Sequence, residues 1–376
     1  MIYFDYAANT PVNNEVMSCF LEENNRYIAN PNSSHLLGRE AKARLDEITE
    51  HIAVLMGVKA SEIIFTSGAS EANNLAIKGL VQAYRHNGKH IISTCLEHPS
   101  VSGALTYLQT QGYEIDLVDI TKEGLVDIQH LKELLRKDTV LVTICYVDSE
   151  LGVKQSISEI GKLLEDYPNC YFHTDATQAV GKIPVSFEHV DCMSFTPHKF
   201  FGLNGCGILL KRENVVLDPL IHGGTSTTIY RSGTPALGLA ASIEKALHIA
   251  LSLLEERYQY VKNINEELRK NLSLYKKVRI NSTNSSVPHI LNISIQGVKA
   301  GLFQEALEQE GICVSVKSAC SVAGSPSRPV YAVSKDKKNA LCSWRISISH
   351  LTTKEELNFF MEAFARCYAK LTNELV

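Results

Sequence analysis

The chain has 376 residues, with 37 Lys and Arg against 41 Asp and Glu and a net charge of −4. That balance excludes nucleic acid as the main partner, because phosphate binding leans on clustered excess cation. A hydrophobic share of 45% against 21% charged excludes disorder and supplies core for about two domains.

The segment before Arg26 carries no Lys or Arg and no continuous apolar run, so no secretory signal is expected. No apolar run anywhere approaches the ~18 residues of a membrane span, and a cytoplasmic location is the expectation. Ten cysteines lie singly between Cys19 and Cys367, with no CxxC pair. That spacing disfavours a zinc ribbon and a disulfide framework and fits a reducing compartment.

From Ser61 to Lys211 short apolar runs alternate with amphipathic stretches. Strands are predicted at 62–66, 90–94, 115–118, 140–144, 171–174, 193–196 and 207–210. These runs are mostly β-branched or aromatic with little polar alternation, the pattern of strands covered on both faces. Helices are predicted at Glu71–Arg85, Val101–Gln111, Ile128–Arg136 and Ile157–Asp166, so the fold class is α/β with a mostly parallel sheet. One long helix is predicted over Leu237–Leu274, then a polar turn at Asn281–Ser286. Beyond it a strand at Ile290–Ile295, a helix at Gly301–Gln309, strands at Ile312–Val316 and Arg345–Ser349, and a helix from Thr353 read as a smaller α+β domain. Gly324–Pro329, with two prolines and a glycine, is predicted to be a loop.

Ligands of open parallel sheets sit at the carboxyl ends of strands, and four strand exits carry candidate chemistry. Thr66-Ser67-Gly68-Ala69-Ser70 runs through small residues into a helix, where bare N–H groups suit a phosphate. Its spacing is neither GxGxxG nor a P-loop. His98, just past the next exit, can stack on a flat ring or move protons. Asp175, at the end of His173-Thr174-Asp175, can keep a heterocyclic nitrogen protonated. Lys199, in Thr196-Pro197-His198-Lys199, can form a Schiff base once its amine is depressed by burial or a nearby cation. Each also has an ordinary reading: an N-cap serine, a structural histidine, a turn-capping aspartate, a surface lysine. Together they are the parts list for pyridoxal 5′-phosphate.

The sequence resembles the cysteine desulfurases of the NifS/IscS type, within the class V aminotransferases of fold-type I pyridoxal-phosphate enzymes. The resemblance runs from Tyr3-Phe4-Asp5-Tyr6-Ala7-Ala8 through Asn30-Pro31, Ser34-His35, Asp175–Gln178, His198-Lys199, Arg231–Thr234, Pro288–Ser294 and Ser318-Ala319-Cys320 to Arg345. It implies a large domain over residues 15–255, with a seven-stranded sheet, and a small domain from residues 1–14 and 256–376. It implies that Lys199 holds the cofactor, that Asp175 pairs with its ring nitrogen, that Gln178 meets O3′, and that His98 stacks on the ring. Ala69, Ser70, Thr196 and His198 match the phosphate set, and Thr234 a phosphate ligand lent by a partner subunit, hence a homodimer. Arg345 matches the fork for the substrate carboxylate, and Cys320 the nucleophile that takes sulfur from L-cysteine as a persulfide. A sulfur-acceptor protein, serving iron–sulfur cluster or thio-cofactor synthesis, follows as a partner.

Three positions depart from the family pattern. Asp148-Ser149 precede Glu150-Leu151-Gly152 where two asparagines are usual, so Ser149 takes a cofactor-contacting place with a shorter side chain. Pro197 removes a backbone donor before His198. Lys317 replaces a glycine three residues before Cys320, where a cation favours the thiolate. Another class V enzyme, an aminotransferase or selenocysteine lyase, would keep Lys199 and Asp175 without needing Cys320; a degenerate, non-catalytic homologue is the other alternative.

Overall fold

The structure, a computed structural model, describes residues 1–317 and 325–374. After a short first strand β1 (Ile2–Tyr3), seven strands form the central sheet: β2 (Ile63–Thr66), β3 (His90–Ser93), β4 (Glu114–Leu117), β5 (Thr139–Thr143), β6 (Tyr171–Asp175), β7 (Cys192–Phe195) and β8 (Gly207–Lys211). Their order is β2-β8-β7-β6-β5-β3-β4. Strands β3 to β7 are parallel, and β8 runs antiparallel to both its neighbours.

The missing polar alternation has a direct cause. Successive strand residues point to opposite faces, and both faces are core. Ile63, Ile92, Val142, Met193 and Ile208 enter one cluster, while their neighbours Ile64, Ile91, Leu141, Cys192 and Leu209 enter the other. Only β4, at the edge, is largely exposed.

Helices α1 (Asn14–Arg26) and α2 (Leu36–Met56), which the sequence pattern left unassigned, pack on the long apolar helix further down the chain. Helices α3 (Ala69–Ala83) and α4 (Pro99–Thr110) cover the opposite face, and α5 (Ile128–Leu134) and α6 (Ile157–Leu164) follow the expected rhythm.

The single helix expected over Leu237–Leu274 is two: α7 (Leu237–Ser252) and α8 (Leu254–Leu272), bent by 65° at Leu253. The reason is a change of core. Leu237, Ile243, Leu247 and Ala250 pack under the sheet, whereas Val261, Ile264, Leu268 and Leu272 pack in a second cluster around Trp344 and Phe364. No single described helix is long and apolar enough to cross a membrane.

That second cluster is built on β9 (Val278–Ile280), β10 (Ile290–Ile295) and β12 (Ser343–Ser347), antiparallel in the order β12-β10-β9. Helices α9 (Ala300–Gln309) and α12 (Lys354–Thr372) close it, the latter opened by a reciprocal Thr353–Glu356 capping box. The strand expected over Ile312–Val316 pairs only at β11 (Ile312–Cys313), against β1, because Ser315 turns to pair with Arg345. The expected Gly324–Pro329 loop is shorter than predicted where it is described. Ser327 caps α10 (Arg328–Ser334), accepting from Val330 N, and Pro329 falls in its first turn, where no N–H is needed.

Candidate active site

Strand exits converge on a cleft of about 400 Å³, within the range of small-molecule sites. Its floor begins at Gly68, whose φ of +153° suits a residue without a Cβ. A Cβ on Gly207 would lie 2.7 Å from the Gly68 backbone, so the turn depends on glycine at both positions. Gly68 gives α3 no side-chain cap; the first amides of α3 are therefore available to an anion beside Ala69 and Ser70, which both line the cleft.

Thr196 and His198 complete this cup. Thr196 Oγ1 donates to the Cys206 carbonyl at 2.8 Å and lies 2.9 Å from His198 Nδ1. The hydroxyl proton being spent on a carbonyl, Nδ1 must carry the ring proton. Burial, with Lys199 and Lys182 nearby, lowers the His198 pKa to about 4, so the ring is neutral until an anion enters. Pro197, expected to cost a donor, occupies the first turn of the 3-10 segment Pro197–Lys199, where an N–H would have no intrahelical partner.

Asp175, buried at the end of β6, is held at both oxygens. Asn73 Nδ2 donates to Oδ2 at 2.8 Å and Thr177 N donates to Oδ1 at 2.9 Å. Asn73 Nδ2 also reaches Ser100 Oγ at 2.9 Å, which lies 2.8 Å from His98 Nδ1. His98 caps α4, its Nδ1 accepting from Ser100 N at 3.1 Å, so the cap also fixes the ring. Burial lowers the His98 pKa, which favours the neutral ring.

Lys199 Nζ donates to the Ala7 and Ala8 carbonyls at 3.0 and 2.5 Å, and Gln178 Nε2 donates to the same Ala7 carbonyl at 2.9 Å. Arg345 is buried. Its Nη1 donates to the Ser149 carbonyl at 2.7 Å and its Nη2 to Asp5 Oδ1 at 2.8 Å. Each terminal nitrogen keeps a second N–H, and Nε has no partner among the described residues. Ser149 lines the cleft with its side chain and holds Arg345 with its backbone.

Of the residues singled out from sequence, Ala69, Ser70, His98, Ser149, Asp175, Gln178, Thr196, His198, Lys199 and Arg345 share this cleft. Thr234 does not: it is exposed and lines a neighbouring hollow of about 270 Å³ with Arg231 and Gly233. Arg231 Nε reaches back to Glu71 Oε1, on the cleft wall, at 2.9 Å. Cys320 lies outside the described residues. Lys317, ahead of it, donates through Nζ to Ser325 O at 2.6 Å and Oγ at 2.8 Å.

Asn73, Ser100 and Asp5 were not singled out, and each acts by holding a residue that was. Asn73 had a local signal: it sits three residues after Ser70, hence on the same helical face. Asp5 and Ser100 had none.

The arrangement offers an anion cup, a carboxylate aimed at a strand exit, a neutral flat ring and an amine, all in one cleft. The family described as aminotransferase class-V matches residues 2–360. A relative from Dictyoglomus turgidum, described as cysteine desulfurase IscS, is 37% identical over 98% of the chain and 95% of its own length. A solved NifS-like protein superposes with a TM-score of 0.91 at 30% identity, covering 99% of this chain and 100% of that one. Another, SspA in complex with cysteine, gives 0.82 at 29% identity over 94% and 100%.

Proposed function

The chain belongs to the class V aminotransferase family, and from that premise we propose how its cleft performs the reaction of a cysteine desulfurase. The protein is an enzyme of the NifS/IscS type. Its overall reaction takes L-cysteine to L-alanine and leaves the sulfur on the protein.

The donor set suits pyridoxal 5′-phosphate. The uncapped start of α3, Ser70, Thr196 and His198 would hold the phosphate; Asp175 the ring nitrogen; His98 one ring face; Lys199 the aldehyde carbon. Thr177 lines the cleft, and its buried Oγ1, which has no partner among the described residues, marks unused polar capacity. When bound, the cofactor supplies a protonated pyridine conjugated to the substrate α-carbon, an electron sink.

The chain's own residues do the rest. Arg345 presents the second N–H of each terminal nitrogen to the substrate carboxylate, a planar match that Lys could not give. Lys199 Nζ, held at the cleft by the Ala7 and Ala8 carbonyls, is the amine that would take and return the α-proton. The Cys320 thiolate attacks the substrate sulfur: an S–S bond forms, the C–S bond breaks, and a proton on the former β-carbon completes alanine. The Cys320 persulfide then passes its terminal sulfur to an acceptor protein. We place Thr234 in the site of a second copy, which makes the enzyme a homodimer. Exposed Ile28, Leu36, Leu37 and Ile229 supply apolar surface for such a contact. The nine described cysteines are free, in keeping with a reducing cytoplasm.

The observation that carries this reading is the convergence of Lys199, Asp175 and the anion cup on one cleft that Arg345 also lines. The test is mass spectrometry after L-cysteine is added to the cofactor-loaded protein. One added sulfur on Cys320 with stoichiometric alanine is expected, and Cys320→Ser should abolish both while the visible cofactor band stays. Alanine formation that survives Cys320→Ser would defeat the assignment of the nucleophile.

A further inference from the structure

A second amine stands behind Lys199. Lys182, in the turn that leaves β6, donates through Nζ to Gln178 Oε1 at 2.8 Å. At the other end of the same amide, Gln178 Nε2 donates to the Ala7 carbonyl, which also accepts from Lys199. A carbonyl cannot donate, so Nε2 must face Ala7 and Oε1 must face Lys182. Both ends of the amide are pinned, and one Nε2 proton is left over in a side chain that lines the cleft.

We propose that Lys182 is a positioning residue of this reaction: through Lys182–Gln178–Ala7 it fixes the Gln178 amide so that the spare N–H meets the bound ring. The proposal rests on the pyridoxal-phosphate reading above, in which that N–H reaches the ring oxygen O3′. Without Lys182, Oε1 becomes a buried acceptor without a partner, a state costly enough to swing the amide out of place.

The surroundings suit an amine that donates without a counter-ion. Lys182 and Lys199 both line a small cavity of about 30 Å³, enough for about one water. His289 lines it too, and its buried Nδ1 has no partner among the described residues. Among the described residues, the charged and titratable groups around Lys182 are Lys199, Arg345, His198 and His289, with Tyr6, Arg257 and His350 across the cavity. No carboxylate among the described residues lines that cavity. Burial, then the charges of Lys199 and Arg345, hold the Lys182 amine well below the usual lysine pKa, and the amine can donate in either protonation state.

The experiment is a pH titration of the visible band of the cofactor-loaded protein. Losing the N–H at an anionic ring oxygen favours the protonated chromophore, as does losing a nearby amine. Lys182→Met should therefore raise the band's pKa by about one unit, with kcat about tenfold lower and KM for L-cysteine within about twofold. Gln178→Ala should raise the band's pKa similarly, and the double variant should go no further. Lys182→Arg, which keeps a donor, should restore the wild-type titration; Lys182→Gln serves the same comparison if Lys182→Met does not fold. An unmoved band in Lys182→Met, or additive shifts in the double variant, would overturn this proposal alone. A wild-type protein that forms no visible band with pyridoxal 5′-phosphate would overturn the cofactor reading and this proposal with it.

Discussion

Asp5 and Arg345, 340 residues apart in the chain, meet in an ion pair of 2.8 Å between Asp5 Oδ1 and Arg345 Nη2. The other Asp5 oxygen accepts from Ser315 Oγ at 2.8 Å. Asp5 thus aims the guanidinium while leaving a second proton on each terminal nitrogen. Asp5→Asn should raise KM for L-cysteine about tenfold with little change in kcat, since the aim is lost and the chemistry is not. Asp5→Ala leaves a buried cation unpaired and should also lower stability by about 3 kcal/mol, read by denaturant unfolding.

Asn73 makes one of two donations to Asp175. Asn73→Ala should weaken binding of pyridoxal 5′-phosphate to the cofactor-free protein about tenfold, the scale of one charged hydrogen bond. Absorbance titration measures it. Because the same amide steadies Ser100 beside His98, the ring-stacking side of the site should loosen as well.

Thr234 can be tested by mixing subunits. Lys199→Ala and Thr234→Ala homodimers should each be inactive or weak. A mixed dimer rebuilds one complete site, with Lys199 from one chain and Thr234 from the other. Its activity should reach about half that of the wild-type dimer. No recovery on mixing would mean that Thr234 serves its own chain.

Glu97 is buried beside the cleft, accepting from Thr94 Oγ1 at 2.8 Å and Cys145 N at 2.9 Å. Burial raises its pKa to about 8, so the folded state holds a proton that the unfolded chain releases near pH 4.3. Its contribution is full below that pH and is lost as pH rises through about 8. Glu97→Gln should flatten the fall in thermal stability between these limits, as melting curves across pH would show.

How far the sequence reached depends on the range of the interaction involved. Six of the seven strands were legible because both faces are buried, and that leaves a local mark in runs such as Val140–Ile144; β4, at the exposed edge, was legible from its Ile115–Val118 run alone. Lys199 and Asp175 were legible because a strand exit is itself a local feature. The break at Leu253 was not: apolar periodicity continues through it, and only the change from one core to another bends the chain. Nor were the partners of the site residues. Asn73 meets Asp175 across 102 positions and Asp5 meets Arg345 across 340, and nothing local in either sequence neighbourhood announces the other.

The first ten residues join the second core to the strand exit that carries Lys199. Phe4 is buried in the second cluster and Ala7 N donates to Ser347 Oγ, yet Ala7 and Ala8 hold Lys199, and Thr10 donates twice to the His198 carbonyl. A tilt of the smaller unit is thereby transmitted to the reactive amine along a lever of only a few peptide units. Cutting the chain between Ala8 and Thr10 would leave the two cores joined through α7 and α8 and through Arg345–Ser149 but would break this direct route, which separates the assembly of the scaffold from the arming of its lysine.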